Sequence, residues 1–133
     1  MTIMYIKLVK RLFIPTIFVL ASMPSFGQLF VGKVDINGSD SIKVIEVLIA
    51  ERMSNKYIDV YVDFGQKSSF WVGSIGNDSG DQRIIDNTSG KPVRFKSTSA
   101  VLNLLEANNW DHYNSVIIAD RGERLFYYYF RKK

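Results

Sequence analysis

The chain contains no cysteine and a single histidine, His112, in 133 residues. The first absence excludes a thiol nucleophile, a redox thiol, a disulfide framework and any thiolate-bound metal. The second leaves one imidazole where a metal centre needs several convergent ligands, so no metal and no cofactor is expected. Long hydrophobic runs are also missing. The most apolar stretch, Leu12 to Met23, is broken by Pro15 and is shorter than the roughly 20 residues that a bilayer crossing requires.

What is there begins with that stretch. Lys7, Lys10 and Arg11 precede it, and the small residues Ser25 and Gly27 follow it, two apart. This is the pattern of a secretory signal peptide over residues 1–27, with a single domain expected over 28–133. No cysteine follows the apolar run to carry a lipid, so the exported chain is expected to be periplasmic or secreted, with no stable transmembrane anchor after cleavage. The leader also accounts for most of the charge. The formal net charge is +4, from 17 basic and 13 acidic residues, and three of the basic residues with none of the acidic ones lie in the leader. The remaining +1 offers no broad positive field for a phosphate backbone, so nucleic acid is not an expected partner, although Arg131, Lys132 and Lys133 form a small local cluster.

No internal repeat interrupts the pattern that follows. Leu29 to Ile36 is mostly apolar and β-compatible, and "NGSD" at 37–40 marks a turn. "SIKVIEVLIAERM" fits either helical spacing or a strand rich in β-branched residues. A strand is favoured because "YIDVYVDF" after it alternates plainly, with Ile58, Val60, Val62 and Phe64 on one face and Tyr57, Asp59, Tyr61 and Asp63 on the other, so the two read as a hairpin. "SSFWVGSIG" reads as a further short strand before the loop "NDSGD", and "NTSGKPVRF" as a turn leading into an extended piece.

The period then changes. "STSAVLNLLEANNW" predicts a helix capped by Ser97 or Thr98, with Ala100, Val101, Leu104, Leu105 and Ala107 as its apolar stripe. Asn108 and Asn109 tolerate positive φ and let the chain leave the last turn. Trp110 is placed to fold its ring back over the stripe of the helix it ends. A carboxyl-terminal hairpin follows, "HYNSVIIAD" returning as "RLFYYYFRKK" around Arg121 and Gly122. Val116 and Ile118 share one face of the first strand. On the second, Phe126, Tyr128 and Phe130 oppose Leu125, Tyr127 and Tyr129.

The segment "DNTSGKPVRFKSTSAVLNLLEANNWDHYNSVIIADRGERLFYYYFRKK", with "VYVDFGQKSSFW" upstream, resembles small exported proteins of unassigned function from Bacteroidota. These are similar in turn to short strand, helix and hairpin domains with a Gly-Trp-Glu signature at the helix end. Asn109 and Asp111 stand here in place of that Gly and Glu, which keeps the left-handed tolerance and the charge. The resemblance covers about two-thirds of the chain after the leader, implies the fold, and carries no activity.

Candidate reactive groups are few. Asp111 beside His112 has the composition of an orienting pair, but adjacent strand residues point to opposite faces, and no Gly-x-Ser-x-Gly elbow supplies a serine. Asn77, Asp78, Ser79 and Asp81 make an oxygen-rich loop without the glycine and distal glutamate of an EF-hand, so a solvated turn is favoured. Asp59 and Asp63 lie roughly 13 Å apart at strand rise, too far for a glycosidase pair without a cross-strand partner such as Glu46 or Glu51.

The expected fold is therefore α+β: a mainly antiparallel sheet of five or six strands, one helix packed on a face, and a carboxyl-terminal β-hairpin. The expected function is a non-catalytic exported module that binds an envelope or extracellular partner through Tyr127, Tyr129, Tyr57 and Tyr61, as a monomer or weak homodimer. Trp110, Asn109, Leu104 and Leu105 are expected to be structural. Two alternatives stand beside it: a small hydrolase using His112 with Asp120 or an upstream carboxylate and Ser115, and a self-associating envelope protein.

Overall fold

The computed structural model describes residues 27–52, 55–66, 82–120 and 123–133. The leader up to residue 26, the "SSFWVGSIG" strand and the "NDSGD" loop lie outside the described residues. The elements run β1 (Phe30–Val31), β2 (Val34–Asp35), β3 (Val44–Glu51), β4 (Asp59–Asp63), β5 (Ile84–Ile85), α1 (Thr98–Ala107), β6 (Trp110–Asp120) and β7 (Glu123–Lys132). This is an α+β fold in which every strand pairing is antiparallel.

The strands are divided between two sheets, a four-stranded one in the order β4-β3-β7-β6 and a three-stranded one in the order β2-β1-β5. The single sheet of five or six strands expected from the pattern is thus split. The cause is local: Gly32, at φ 58°, turns the chain back within "FVGKVD" and leaves two-residue strands too short to join the long sheet. Their outer edge is taken by β5.

The ambiguous segment is a strand, β3, paired with β4 so that Val47 faces Val62 and Ile49 faces Val60. It reads as an almost continuous apolar run because both of its faces are covered. Ile45, Val47 and Ile49 enter the main core, while Leu48 and Ala50 join a second cluster with Tyr61 and Leu125 on the opposite face.

The main core fills the space between the four-stranded sheet and the layer above it. Val101 and Leu105 descend from α1, Leu29, Val31, Ile36 and Ile84 come from the small sheet and its flanks, and Phe130 rises from β7. Ser97 caps α1 by accepting the Ala100 amide at 3.3 Å, and the Thr98 hydroxyl donates to Glu51 at 2.8 Å, tying the helix start to the end of β3. Ala100 and Ala107, assigned above to the apolar stripe, are exposed; Leu104 packs against the core as expected, and Leu102 joins it. A ten-residue helix lying on a twisted sheet covers it with a narrow stripe, centred here on Val101 and Leu105.

Asn109 leaves the helix at φ 73°, and Trp110 follows with no exposed surface. Its indole Nε1 donates to Asn37 Oδ1 at 2.7 Å. Asn37 in turn donates its amide to the Gly27 carbonyl at 2.7 Å, and the Lys132 ammonium, 5.4 Å from the indole centroid, donates to the carbonyls of Asn37 and Ser39.

Replacing Trp110 with Ala is expected to cost about 3–5 kcal/mol of unfolding free energy, and Trp110→Phe about 1–3 kcal/mol by orphaning the Asn37 oxygen. At the residue before it, Asn109→Gly should be near neutral and Asn109→Val should cost about 1–2 kcal/mol. Urea unfolding of the four variants checks both rankings.

Candidate functional site

The register places side chains of four strands in rows across the face of the sheet away from α1. One row runs Asp63, Glu46, Tyr129, Asn114; the next runs Tyr61, Leu48, Tyr127, Val116; the third runs Asp59, Ala50, Leu125, Ile118. Burial falls off along each row toward β6. Leu48, Ala50, Tyr61 and Leu125 are buried, Tyr127 and Tyr129 are half-buried, and Val116 and Ile118 are exposed.

A bulge between His112 and Asn114 inserts Tyr113 opposite this region. Its ring, 48 % exposed, lies 6.3 Å from that of Tyr129. The result is a strip of Tyr113, Tyr129 and Tyr127 with Val116 and Ile118 beside it, bounded at one end by the Arg131–Asp111 ion pair at 3.3 Å and on the inner side by Glu46 and Asp63. Tyrosines in this state present an apolar ring to a partner while their hydroxyls remain wet.

Of the four tyrosines expected to bind, Tyr61 shares this face but is buried, and Tyr57 lies outside the paired rows. Tyr61 is 3 % exposed, with the Arg83 guanidinium 4.2 Å above its ring and donating to its hydroxyl at 3.1 Å. Although β4 is an edge strand, Tyr61 stands opposite Leu48 and beneath Arg83, and it joins the second core. Tyr57 precedes the paired part of β4 and lies between Lys56 and Arg94, each 5.6 Å from its ring centroid. Tyr113, which the sequence reading passed over, takes their place. The bulge that turns it toward Tyr129 leaves no mark in an alternating pattern.

The electrostatics of the strip come from Glu46. Its carboxylate accepts the Tyr129 hydroxyl, which, with burial, raises the ionisation of Tyr129 above the ordinary phenol range. Burial, followed by the Glu46 charge, raises Tyr127 in the same direction, and burial with Glu51 raises Tyr128. Glu46 also stands directly opposite Asp63 in the register, the cross-strand carboxylate partner envisaged above. Asp63 accepts the Gly65 amide at 2.7 Å.

Asp111 and His112 are held apart, while the bulge sets His112 and Ser115 on one face, Ser115 opposite Tyr128. The Asp111 carboxylate turns to Arg131, while the His112 ring lies on the other face, edge-on to Tyr128 and Phe130 at 5.6 and 5.5 Å. The His112 backbone N–H donates to Glu106 Oε1 at 3.4 Å. Lys133, 2.6 Å from Glu106, and then this amide hold the Glu106 carboxyl below its ordinary range. Among the described residues no hydrogen bond joins the His112 ring to Asp111 or Ser115. A cavity of about 310 Å³ lies elsewhere, at the start of α1, lined by Glu51, Arg52, Asn55, Ile58, Lys96, Ser97 and Arg124. Among the described residues no group of three acidic or imidazole side chains is arranged to hold a metal, and no helix is long and apolar enough to cross a membrane. The oxygen-rich residues Asn77, Asp78, Ser79 and Asp81 lie outside the described residues.

Comparison of the chain with protein-family models, with curated proteins and with solved structures finds no match.

A raised tyrosine ionisation means that the folded state holds its phenolic protons more tightly than the unfolded state. The corresponding stability is complete below about pH 10 and is lost as pH rises through the raised values. Tyrosinate absorbance should therefore show a late-titrating fraction, and Glu46→Gln should return Tyr129 toward the ordinary range; an unchanged profile in that variant would contradict the Tyr129–Glu46 bond.

Proposed function

We propose that this chain is an exported, non-catalytic interaction module that contacts an envelope or extracellular molecule through the open face of its carboxyl-terminal hairpin. The observation that carries the reading is the gradient of burial across the sheet. The same rows that close a core at Leu48 and Leu125 end in exposed Val116 and Ile118, with the bulged, exposed Tyr113 beside them. Contiguous apolar and aromatic surface with a polar rim is the composition of a contact site, and here Glu46, Asp111 and Arg131 supply the rim. The turning of Asp111 away from His112 toward Arg131 supports a binding role over hydrolysis, since an acid that orients a general base must reach its ring. Export rests on the basic, apolar and small-residue order of the first 27 residues.

The test is capture from an envelope extract by the purified chain, compared with a Tyr127→Ser, Tyr129→Ser double variant and a Tyr113→Ser variant whose thermal unfolding shows an intact fold. Saturable capture by the parent chain that weakens at least about tenfold in the variants is expected, the range in which aromatic hot spots fall. Capture that survives all three substitutions would remove the tyrosine face from the function.

A further inference from the structure

The four-stranded sheet has two edges, and they are treated differently. On β4 the outer edge is short, carries Asp59 and Asp63 at its ends, and has its Val62 amide bonded to the Gln82 carbonyl at 2.8 Å. On β6 the outer edge is eleven residues long, and among the described residues β7 is the one strand paired with it. Natural sheets protect such edges with lysine, proline, a bulge or a covering segment. Here the bulge lies at one end, between His112 and Asn114, and the stretch Tyr113 to Ala119 contains no charge, proline or glycine. Val116, Ile117 and Ile118 are 45, 64 and 44 % exposed, so this edge strand is apolar on both faces.

The segment after the bulge, "NSVIIAD", is nearly palindromic in size and polarity about Ile117. Reading outward, Val116 matches Ile118, Ser115 matches Ala119, and polar Asn114 matches polar Asp120. A two-fold axis normal to a sheet sets its edge strands antiparallel, keeps each face continuous, and must pass through a residue position, because side chains alternate with period two. We propose that β6 pairs with β6 of a second copy of this chain about such an axis at Ile117, joining the two four-stranded sheets into one of eight strands. Val116 then faces Ile118 of the other copy in the row that already holds Tyr127, and Ile117 faces its own mate beside Phe126. Helix α1 is anchored at the Trp110 end of β6, about 23 Å from the axis at strand rise, so the antiparallel arrangement puts the two helices at opposite ends of the seam. The chain beyond its leader carries a net +1, so charge repulsion between copies is small.

The inference goes beyond the binding role proposed above. It concerns the edge of β6 rather than the tyrosine face, and its failure would leave that face available.

Sedimentation equilibrium of the chain recovered from a secreting host should show a reversible dimer. Ile117→Lys, at an exposed position, should leave thermal unfolding of the monomer unchanged and raise the dimer dissociation constant at least about tenfold, because it sets like charges opposite one another. Since the chain has no cysteine, single-cysteine variants read the register directly. Ile117→Cys should form an interchain disulfide on mild oxidation, while Tyr113→Cys, about 27 Å from its mate, should not. A monomer at high concentration, a dimer indifferent to Ile117→Lys, or cross-linking from Tyr113→Cys as readily as from Ile117→Cys would overturn the proposal. So would a chain that is monomeric alone and protects its β6 amides from exchange only when a foreign envelope protein is added.

Discussion

The indole of Trp110 is the point at which three separate parts of the chain are held to one another. It ends the helix, begins the edge strand, and donates its only polar atom to Asn37, seventy-three residues earlier. Burying so large a ring is favourable only if that N–H finds an acceptor. The acceptor is prepared: Asp35 accepts the amides of Leu29 and Asn37, which folds the amino-terminal segment into a compact turn and aims Asn37 inward. Lys132, directly across the strand pair from Trp110, closes the arrangement from the carboxyl end.

This constraint has consequences for the surface. Because the chain passes from helix to β6 in the space of Asn108 and Asn109, the helix must lie over the Trp110 end of the hairpin, and it is too short to reach the far end. Toward its outer part the hairpin therefore loses the cover that buries its root. Ile117, on the helix side but beyond its reach, is left exposed, while Val116 and Ile118 and the half-buried Tyr127 and Tyr129 lie on the opposite face, which the helix does not touch.

Strand order then separates the two roles of the hairpin. β7 is inserted between β3 and β6, so its backbone is satisfied on both sides and its side chains grade from core to surface. β6 receives the edge. Its face and its edge are distinct chemical surfaces: the first is aromatic with a wet, acidic margin, the second a row of backbone groups flanked by aliphatic side chains. A single strand can in this way serve recognition by side chains and recognition by backbone pairing.

Much of the architecture was legible along the chain. Alternation identified β4 and the hairpin, and spacing identified the helix. The tolerance of asparagine for positive φ located the helix exit, and the size of Trp110 implied its burial. These are local matters, decided by backbone sterics and by the period of apolar residues. What tertiary structure decided was which of two equally apolar faces would be covered and which of two hairpin strands would lie inside. Tyr61 and Tyr129 have the same chemistry and both stand in strands, yet Tyr61, on the edge strand β4, is buried beneath Arg83, while Tyr129, on the inner strand β7, stays half-buried beside Tyr113. Their difference comes from pairing partners distant in sequence, and only the assembled register brings those partners together.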